Sequence, residues 1–411
     1  MKALRRNGHS IGMNQPPHQG HLRNQSWLLI NRIPLFCAGL SLGLASVLVL
    51  PRILDLSMVS GWFPAYYYVN YYRFGFVKRA LVGTLLTPLN VICGMDVRLF
   101  ALLAFSVGLM VFTILFWKLF SEATSASVWL TVGMRWRLAL MFAFSPAIFL
   151  HLAYDAGRTD VFWLSCGIAA LLLAFSKSLP FLFKFLSILL LSFASLLIYE
   201  GSVFVIVPFL SVVLERSDRR RGLAAALVYA LLMALLTLAI QHFGSFEEGS
   251  AVLVELLSGT APGLGDPLSI VLTGDLVTDN FHHALGSQFN WFGNNPVILA
   301  YALVWVLLLV RLTRASSDFL RSGLILATPF FGLFLNIIAL DYIRYLSLVL
   351  CVSAMSILCL LVFDPVAARG LQGRVPLLGM LLLGFVLGPF GVVPDHALPL
   401  NPLSFIMSAG G

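Results

Sequence analysis

Long apolar runs alternate with short polar segments along most of this chain. The runs occupy residues 33–50, 97–120, 138–154, 161–175, 182–199, 201–214, 223–241, 296–312, 323–340, 345–363 and 375–393. Repeated runs of this kind are typical of helices that cross a bilayer, whose hydrocarbon core needs about 20 residues per helix. The pattern predicts an all-α fold, a polytopic transmembrane helix bundle with about 11 spans.

The apolar stretch 181–214 is too long for one crossing. As a single helix its 34 residues would extend about 51 Å, well beyond a hydrocarbon core of about 30 Å. We therefore expect a tight hairpin turn at Glu200-Gly201, with one span on each side.

Composition agrees with a membrane protein. The chain is 59% hydrophobic and only 11% charged, whereas a soluble domain carries about 25% charged residues. The five cysteines are scattered, mostly inside apolar runs and without CxxC spacing, so we expect small core residues rather than disulfides or a metal site. Residues 1–32 are too long a lead for an ordinary secretory signal. They predict a disordered cytoplasmic tail before a single transmembrane domain, 33–411.

The basic residues indicate the orientation. With the N-terminus in the cytoplasm, 19 of the 26 Lys and Arg residues fall on inner segments and seven on outer ones, as the positive-inside rule requires. The outer seven are Arg52, Arg73, Lys78, Arg79, Arg98, Arg158 and Arg344. The net charge of +8 is spread over many short loops, so it reflects topology, and we expect no nucleic-acid partner.

Two predicted outer loops, 51–96 and 242–295, are longer than connectors need to be. In the first, Arg73, Lys78 and Arg79 follow a tyrosine cluster, and 76–89 has amphipathic character. One interpretation is an interfacial anchor, which tyrosines and basic side chains commonly form. The other is a cradle for an anionic headgroup, such as the phosphate of a lipid-linked substrate.

Charged residues also cluster at other predicted outer turns. Asp155, Arg158 and Asp160 lie between two spans, Glu200 lies between the next two, and Asp341 and Arg344 are three residues apart. Each has a simple structural explanation, as a helix cap, a hairpin tip or a local ion pair. Their presence on one predicted side favours a site, because carboxylates near a membrane are costly unless they are paired or face a wet cavity.

Metal and nucleotide motifs are weak or missing. Asp279 and His283 have i,i+4 spacing, and Asp275 and His282 lie nearby, but no further ligand pattern accompanies them. His151, inside the third apolar run, is expected to be hydrogen-bonded within the bundle. The sequence contains no P-loop or HExxH, and no GxSxG lies in a strand–helix context, which gives no support to cytosolic nucleotide-driven chemistry.

The layout resembles that of the GT-C superfamily of integral membrane glycosyltransferases. The resemblance rests on Asp55 soon after the first span, an interfacial first outer loop, and Asp155 with Asp160 in the second outer turn, over roughly the first 215 residues. It implies a polyprenyl-phosphate-linked sugar donor, Asp55 as catalytic base, and Asp155 and Asp160 in binding a metal or the acceptor. A divalent metal is one cofactor it allows. Because no second acidic residue accompanies Asp55, Asp155 and Glu200 are alternative bases.

In this interpretation Asp55, Asp155, Asp160 and Glu200 are the catalytic candidates. The candidates for substrate binding are Arg73, Lys78, Arg79, Arg158, Asp341 and Arg344. The expected location is a bacterial inner (plasma) membrane, with the site facing the periplasm or exterior and membrane lipid as a partner. The alternatives are a transporter or flippase of an anionic lipid or solute, and a polysaccharide-polymerase-like protein. The oligomeric state stays open.

Overall fold

The computed structural model describes residues 19–59, 62–218, 220–244, 296–335 and 342–372. Regular structure within these ranges is entirely helical. The α-helices are α1 (Gln19–Leu54), α2 (Trp62–Tyr68), α3 (Tyr71–Phe74), α4 (Leu81–Cys93), α5 (Val97–Ala126), α6 (Val132–Ala143), α7 (Phe149–Tyr154), α8 (Asp160–Phe175), α9 (Phe181–Ile198), α10 (Ser202–Ser217), α11 (Gly222–Phe243), α12 (Pro296–Ala315), α13 (Phe319–Ala327) and α14 (Tyr342–Phe363). Short 3₁₀ helices occupy Leu56–Met58, Thr328–Phe334 and Pro365–Leu371.

Five segments in the described residues are long and apolar enough to cross a membrane. They are Arg32–Leu54, Val97–Ala126, Phe181–Ile198, Gly222–Phe243 and Arg344–Phe363. Leu81–Cys93, Asp160–Phe175 and Phe319–Phe334 are apolar but shorter. Leucines along α11, such as Leu231, Leu235 and Leu238, are more than half exposed, as expected of a helix that faces lipid. The helices thus have the character of an integral membrane protein.

α14 lies at the centre of the bundle, because 89% of its most apolar 18-residue stretch is buried. Beside it, α5 packs aromatic rings against α6 and α7. Phe116 contacts Phe142 and Phe149 edge-to-face, with ring centroids 5.7 and 5.3 Å apart. Such rings fill a large volume at favourable geometry, so they fix the helices whose ends carry the charged residues.

The predicted span 138–154 is interrupted, which corrects the expectation of one continuous helix. α6 ends at Ala143 and α7 begins at Phe149. Pro146 lies between them, and proline both lacks an N–H donor and clashes with the preceding turn of a helix. Likewise, the helix in the predicted span 323–340 becomes a 3₁₀ helix at Thr328, next to Pro329.

Other boundaries follow the predictions more closely. α9 ends at Ile198 and α10 begins at Ser202, so the tight turn expected at Glu200-Gly201 is present. α1 begins at Gln19, so residues 19–32 of the tail predicted to be disordered are helical; no proline precedes Pro34 in this segment. The predicted span 375–393 and nearly all of the predicted loop 242–295 lie outside the described residues.

The polar contacts define two ends of the bundle. At one end, called the Asp160 end, Asp160 pairs with Arg344 and the Lys78 amide donates to the Gly244 carbonyl at 2.8 Å. At the other, called the Asp364 end, Asp364 accepts hydrogen bonds from Ser316 and Ser317. The first end collects segments predicted to be outer and the second those predicted to be inner. Which end faces the cytoplasm stays a prediction.

Candidate functional site at the Asp160 end

Asp160 and Arg344 form a buried ion pair between the first turns of α8 and α14. Arg344 Nε donates to Asp160 Oδ2 at 2.8 Å and Nη2 donates to Oδ1 at 2.6 Å. Trp163 Nε1 donates to Oδ1 at 2.9 Å. A carboxylate in the first turn of a helix is also favoured by the helix dipole. The pair therefore joins two helices that are far apart in sequence.

A second buried ion pair joins the first loop to the α9–α10 turn. Arg79 Nε donates to both carboxylate oxygens of Glu200 at 2.9 Å, and Arg79 Nη2 also contacts Oε1. Burial alone would raise the pKa of Glu200, but the charge of Arg79 outweighs burial and lowers it, and Lys78 contributes in the same direction. Glu200 is therefore ionised at neutral pH.

The backbone of Arg79 is held in a costly conformation. Among the described non-glycine residues, Arg79 alone has positive φ, at 64°. A non-glycine residue in this region costs about 1–3 kcal/mol and persists only where surrounding contacts hold it. The pair with Glu200 and the hydrogen bond from the Lys78 amide to Gly244 supply such contacts.

Tyr199 lies between the two ion pairs. Its ring is 4.8 Å from the Arg344 guanidinium carbon and 5.6 Å from that of Arg79, distances that suit cation–π attraction. Its hydroxyl donates to the hydroxyl of Tyr345 at 3.1 Å. A Cβ at Gly201 would come within 2.5 Å of the Tyr199 ring, so a glycine is required beside it. Tyr199 makes the two ion pairs one connected cluster.

Asp155 follows α7 and is held more loosely than Asp160. Arg158 Nε lies 3.3 Å from Asp155 Oδ2, and His151 Nε2 lies 3.7 Å from the same atom. The Asp155 side chain is 14% exposed, against 2% for Asp160. The guanidinium carbon of Arg52, at the end of α1, lies 5.8 Å from the ring of Tyr154, next to Asp155. Asp155 is thus a partly open carboxylate surrounded by positive charge.

The first loop packs closely on this end of the bundle. Gly83 of α4 passes so near the Val69 carbonyl that a Cβ would lie 1.9 Å from its oxygen. Asn70 caps α3 by accepting from the Arg73 amide at 2.9 Å. The Arg73 guanidinium contacts the Tyr68 hydroxyl and lies 5.1 Å from that ring. The expected helical character of the loop is therefore present.

Asp55 lies at the same end but makes a different kind of contact. It caps the 3₁₀ helix Leu56–Met58, and its carboxylate accepts from the Ser57 amide and hydroxyl at 3.0 and 2.6 Å. These hydrogen bonds lower its pKa. Within the described residues, no hydrogen bond or ion pair joins its carboxylate to another predicted site residue. Arg52, three residues earlier, is the part of this segment that lies near Asp155.

The predicted residues therefore divide into three groups. Asp155, Arg158, Asp160, Arg344, Arg79, Lys78 and Glu200 come together. Asp55 and Arg73 lie at the same end, where Asp55 contacts Ser57 and Arg73 contacts Tyr68. Asp341, Asp275, Asp279, His282 and His283 lie outside the described residues. Arg344, considered with Asp341 in the sequence, pairs with Asp160.

Sequence reasoning did not single out Tyr199, Tyr345 or Trp163, although each contacts an ion-paired residue. An aromatic residue beside a charged turn is common at membrane interfaces, so the sequence offers little signal for them. Arg52 was identified only as an outer basic residue. Nothing in the sequence indicates that it approaches Tyr154 and Asp155.

The side chains of this site do not fit the divalent metal that the resemblance allows. Within the described residues, no three His, Cys, Asp or Glu side chains come together as a metal site. Asp160, one of the two implied ligands, already uses both oxygens with Arg344 and one with Trp163.

No protein-family model, curated protein or solved structure matches this chain. A carboxylate held by two guanidinium hydrogen bonds is a poor proton acceptor, because protonation would break a charge-assisted pair. Asp160 and Glu200 therefore suit positioning. Asp155, with longer contacts and partial exposure, suits proton transfer.

Proposed function

We propose that this protein is an integral membrane glycosyltransferase that uses a polyprenyl-phosphate-linked sugar donor at the Asp160 end. The observation that carries the proposal is the gathering of charged side chains from separate segments around a partly open carboxylate, Asp155, at one end of an apolar bundle. Ionisable residues inside or beside a membrane are costly and commonly mark a functional site. A lipid-linked donor presents its phosphate and sugar at this depth.

In the proposed reaction an acceptor hydroxyl attacks the anomeric carbon of the donor sugar. Asp155 accepts the hydroxyl proton as general base while the new C–O bond forms. The bond from the anomeric carbon to the phosphate oxygen breaks, and the lipid phosphate leaves with the electron pair. Arg52 and Arg158, which surround Asp155, supply positive charge for the departing phosphate.

The ion pairs have a supporting part in this proposal. Asp160 orients Arg344, and Glu200 holds Arg79 and the first loop against the bundle. Lys78 and Arg73 then provide positive charge along the loop where the lipid phosphate enters. Asp160 and Glu200 are accordingly assigned as positioning residues, and Asp55 as a capping residue close to the site.

The test is sugar transfer by purified protein in liposomes, with a series of radiolabelled polyprenyl-phosphate sugars and an envelope extract as acceptor. The proposal expects label to pass from at least one donor to a product, with release of polyprenyl phosphate. Heat-denatured protein is the control. Donors that all remain intact in the presence of folded protein would contradict the proposal.

The interruption between α6 and α7 favours a second candidate, a transporter or flippase. Broken membrane helices commonly line transport pathways. Here, however, Ala147, Ile148 and Phe149 at the break are buried apolar residues, and Ser145 at the break hydrogen-bonds the buried Tyr301 hydroxyl at 3.2 Å. Movement of an intact donor between leaflets, without cleavage of the sugar, would favour this second function.

A further inference from the structure

A groove about 300 Å³ in volume lies between α12 and α13, at the opposite end from the charged cluster. Its walls are apolar except for Thr313 and Arg314. The Thr313 hydroxyl donates to the Leu309 carbonyl at 2.9 Å, which leaves its methyl group toward Gly323. A Cβ at Gly323 would lie 3.5 Å from that methyl carbon. The groove is therefore lined by hydrocarbon, with its width set partly by a glycine.

The groove has the length of one lipid leaflet. Its lining on α12 runs from Val306 to Arg314, a rise of about 12 Å at 1.5 Å per residue. One leaflet of a bilayer core is about 15 Å deep. Arg314 lies near the Asp364 end, because the neighbouring Arg311 donates to Gln372 there. With the Asp364 end at a membrane surface, a groove of this length would reach about the middle of the bilayer.

A positive charge without a carboxylate partner lies at the mouth of the groove. Arg314 is exposed, and among the described residues no salt bridge is found for it. The carboxylates of Glu215 and Asp318 both lie 3.7 Å from guanidinium nitrogens of Arg321. The guanidinium of Arg314 is thus available to an anion at the membrane surface. Basic residues at the mouths of grooves between membrane helices commonly bind anionic lipid headgroups.

We propose that the α12–α13 groove binds one acyl chain of an anionic phospholipid whose headgroup phosphate pairs with Arg314. The chain lies along Leu309, Leu326 and Phe330, and Gly323 leaves the space for it. The site is independent of the sugar-transfer proposal. It gives this groove a preference for anionic lipid.

The experiment uses photoactivatable phospholipids with a diazirine at the end of one acyl chain. Full-length protein is placed in phosphatidylcholine nanodiscs that contain either a phosphatidylglycerol or a phosphatidylcholine probe, and labelled peptides are mapped by mass spectrometry. The phosphatidylglycerol probe is expected to label Val306, Leu326 or Phe330 about fivefold more than the phosphatidylcholine probe, the effect of roughly one arginine charge at a membrane surface.

Three variants separate the charge from the shape of the groove. Arg314→Gln is expected to reduce labelling by phosphatidylglycerol to the phosphatidylcholine level, while Arg314→Lys preserves the preference and shows that the protein is folded. Gly323→Leu is expected to reduce labelling by both probes. The control Arg220→Gln neutralises an exposed arginine at the same end, outside the groove, and leaves labelling unchanged.

Equal labelling of the groove by the two probes in the wild-type protein would overturn the proposal. An unchanged preference in Arg314→Gln would also overturn it. So would a covalent link between two copies of the chain through α12 and α13, because the groove would then be covered by protein.

Discussion

Arg344 and Asp160 are 184 residues apart in the chain, yet two hydrogen bonds of 2.6 and 2.8 Å join them in the interior. The pair holds the first turn of α8 to the first turn of α14, the most buried of the candidate spans. Together with Arg79 and Glu200 it fixes the end of the bundle at which we place the chemistry.

The pair predicts that the losses of unfolding free energy in its two single variants are strongly non-additive. Arg344→Met alone leaves a buried carboxylate without its counter-ion, which costs about 3–5 kcal/mol of unfolding free energy. The double variant Asp160→Leu/Arg344→Met removes both charges, so it is expected to lie closer to wild type than either single variant. Unfolding of the purified proteins in mixed detergent micelles measures the cycle. Additive losses would show that the two residues act independently.

The pair between Arg79 and Glu200 predicts a change in the first loop. Glu200→Gln keeps the size of the side chain but removes the charge that holds Arg79 at positive φ. Residues 71–80 are expected to exchange amide hydrogens faster, while α5 is unaffected. Hydrogen exchange with mass spectrometry measures this. Arg73→Gln, which changes an exposed arginine of the same loop, is the control; equal acceleration in both variants would count against the pair.

The predicted orientation of the chain can be tested by labelling its cysteines. Cys93 is exposed near the Asp160 end, whereas Cys37, Cys351 and Cys359 are buried. A membrane-impermeant maleimide added to intact spheroplasts is expected to label Cys93. The variant Cys93→Ser/Ser178→Cys moves the exposed thiol to the α8–α9 turn and is expected to react only after permeabilisation. The reverse pattern would invert the predicted topology.

Asp364 predicts a dependence of stability on pH. Burial alone would raise its pKa, but hydrogen bonds from Ser316 and Ser317 outweigh burial and lower it. A lowered folded pKa stabilises the protein above the unfolded value, about 3.9, and this contribution is lost as pH falls through the folded pKa. The melting temperature of the wild type is therefore expected to exceed that of Asp364→Asn at about pH 7. The difference between the two melting temperatures is expected to shrink towards about pH 3. A difference that is constant with pH would contradict this role for Asp364.

The hydrophobic pattern predicted the helical class and most of the described helix bounds, because burial in lipid demands long apolar runs. It also predicted the turn at Glu200 and the local contact between Asp155 and Arg158, three residues apart. Both features depend on short sequence separations. The break after α6 was not anticipated, although Pro146 within the apolar run was its signal.

The long-range partners were beyond sequence reasoning. Arg344 had a local carboxylate candidate, Asp341, and nothing in the sequence indicates that the first turn of α14 comes within reach of Asp160. The same holds for Arg79 and Glu200, whose contact depends on how the first loop folds back over the bundle. The sequence identified which residues carry charge at this end, and tertiary packing decided which of them are paired and which, such as Asp155, stay open.

Asp155 is the residue on which the proposed function depends most directly. In the liposome assay, Asp155→Asn removes the proposed base and is expected to lower the rate of sugar transfer by about 10²–10⁴-fold. Asp218→Asn, which changes an exposed capping carboxylate at the opposite end, is the matched control and is expected to retain the wild-type rate. A wild-type rate in Asp155→Asn, at equal amounts of folded protein, would contradict the assignment of the site.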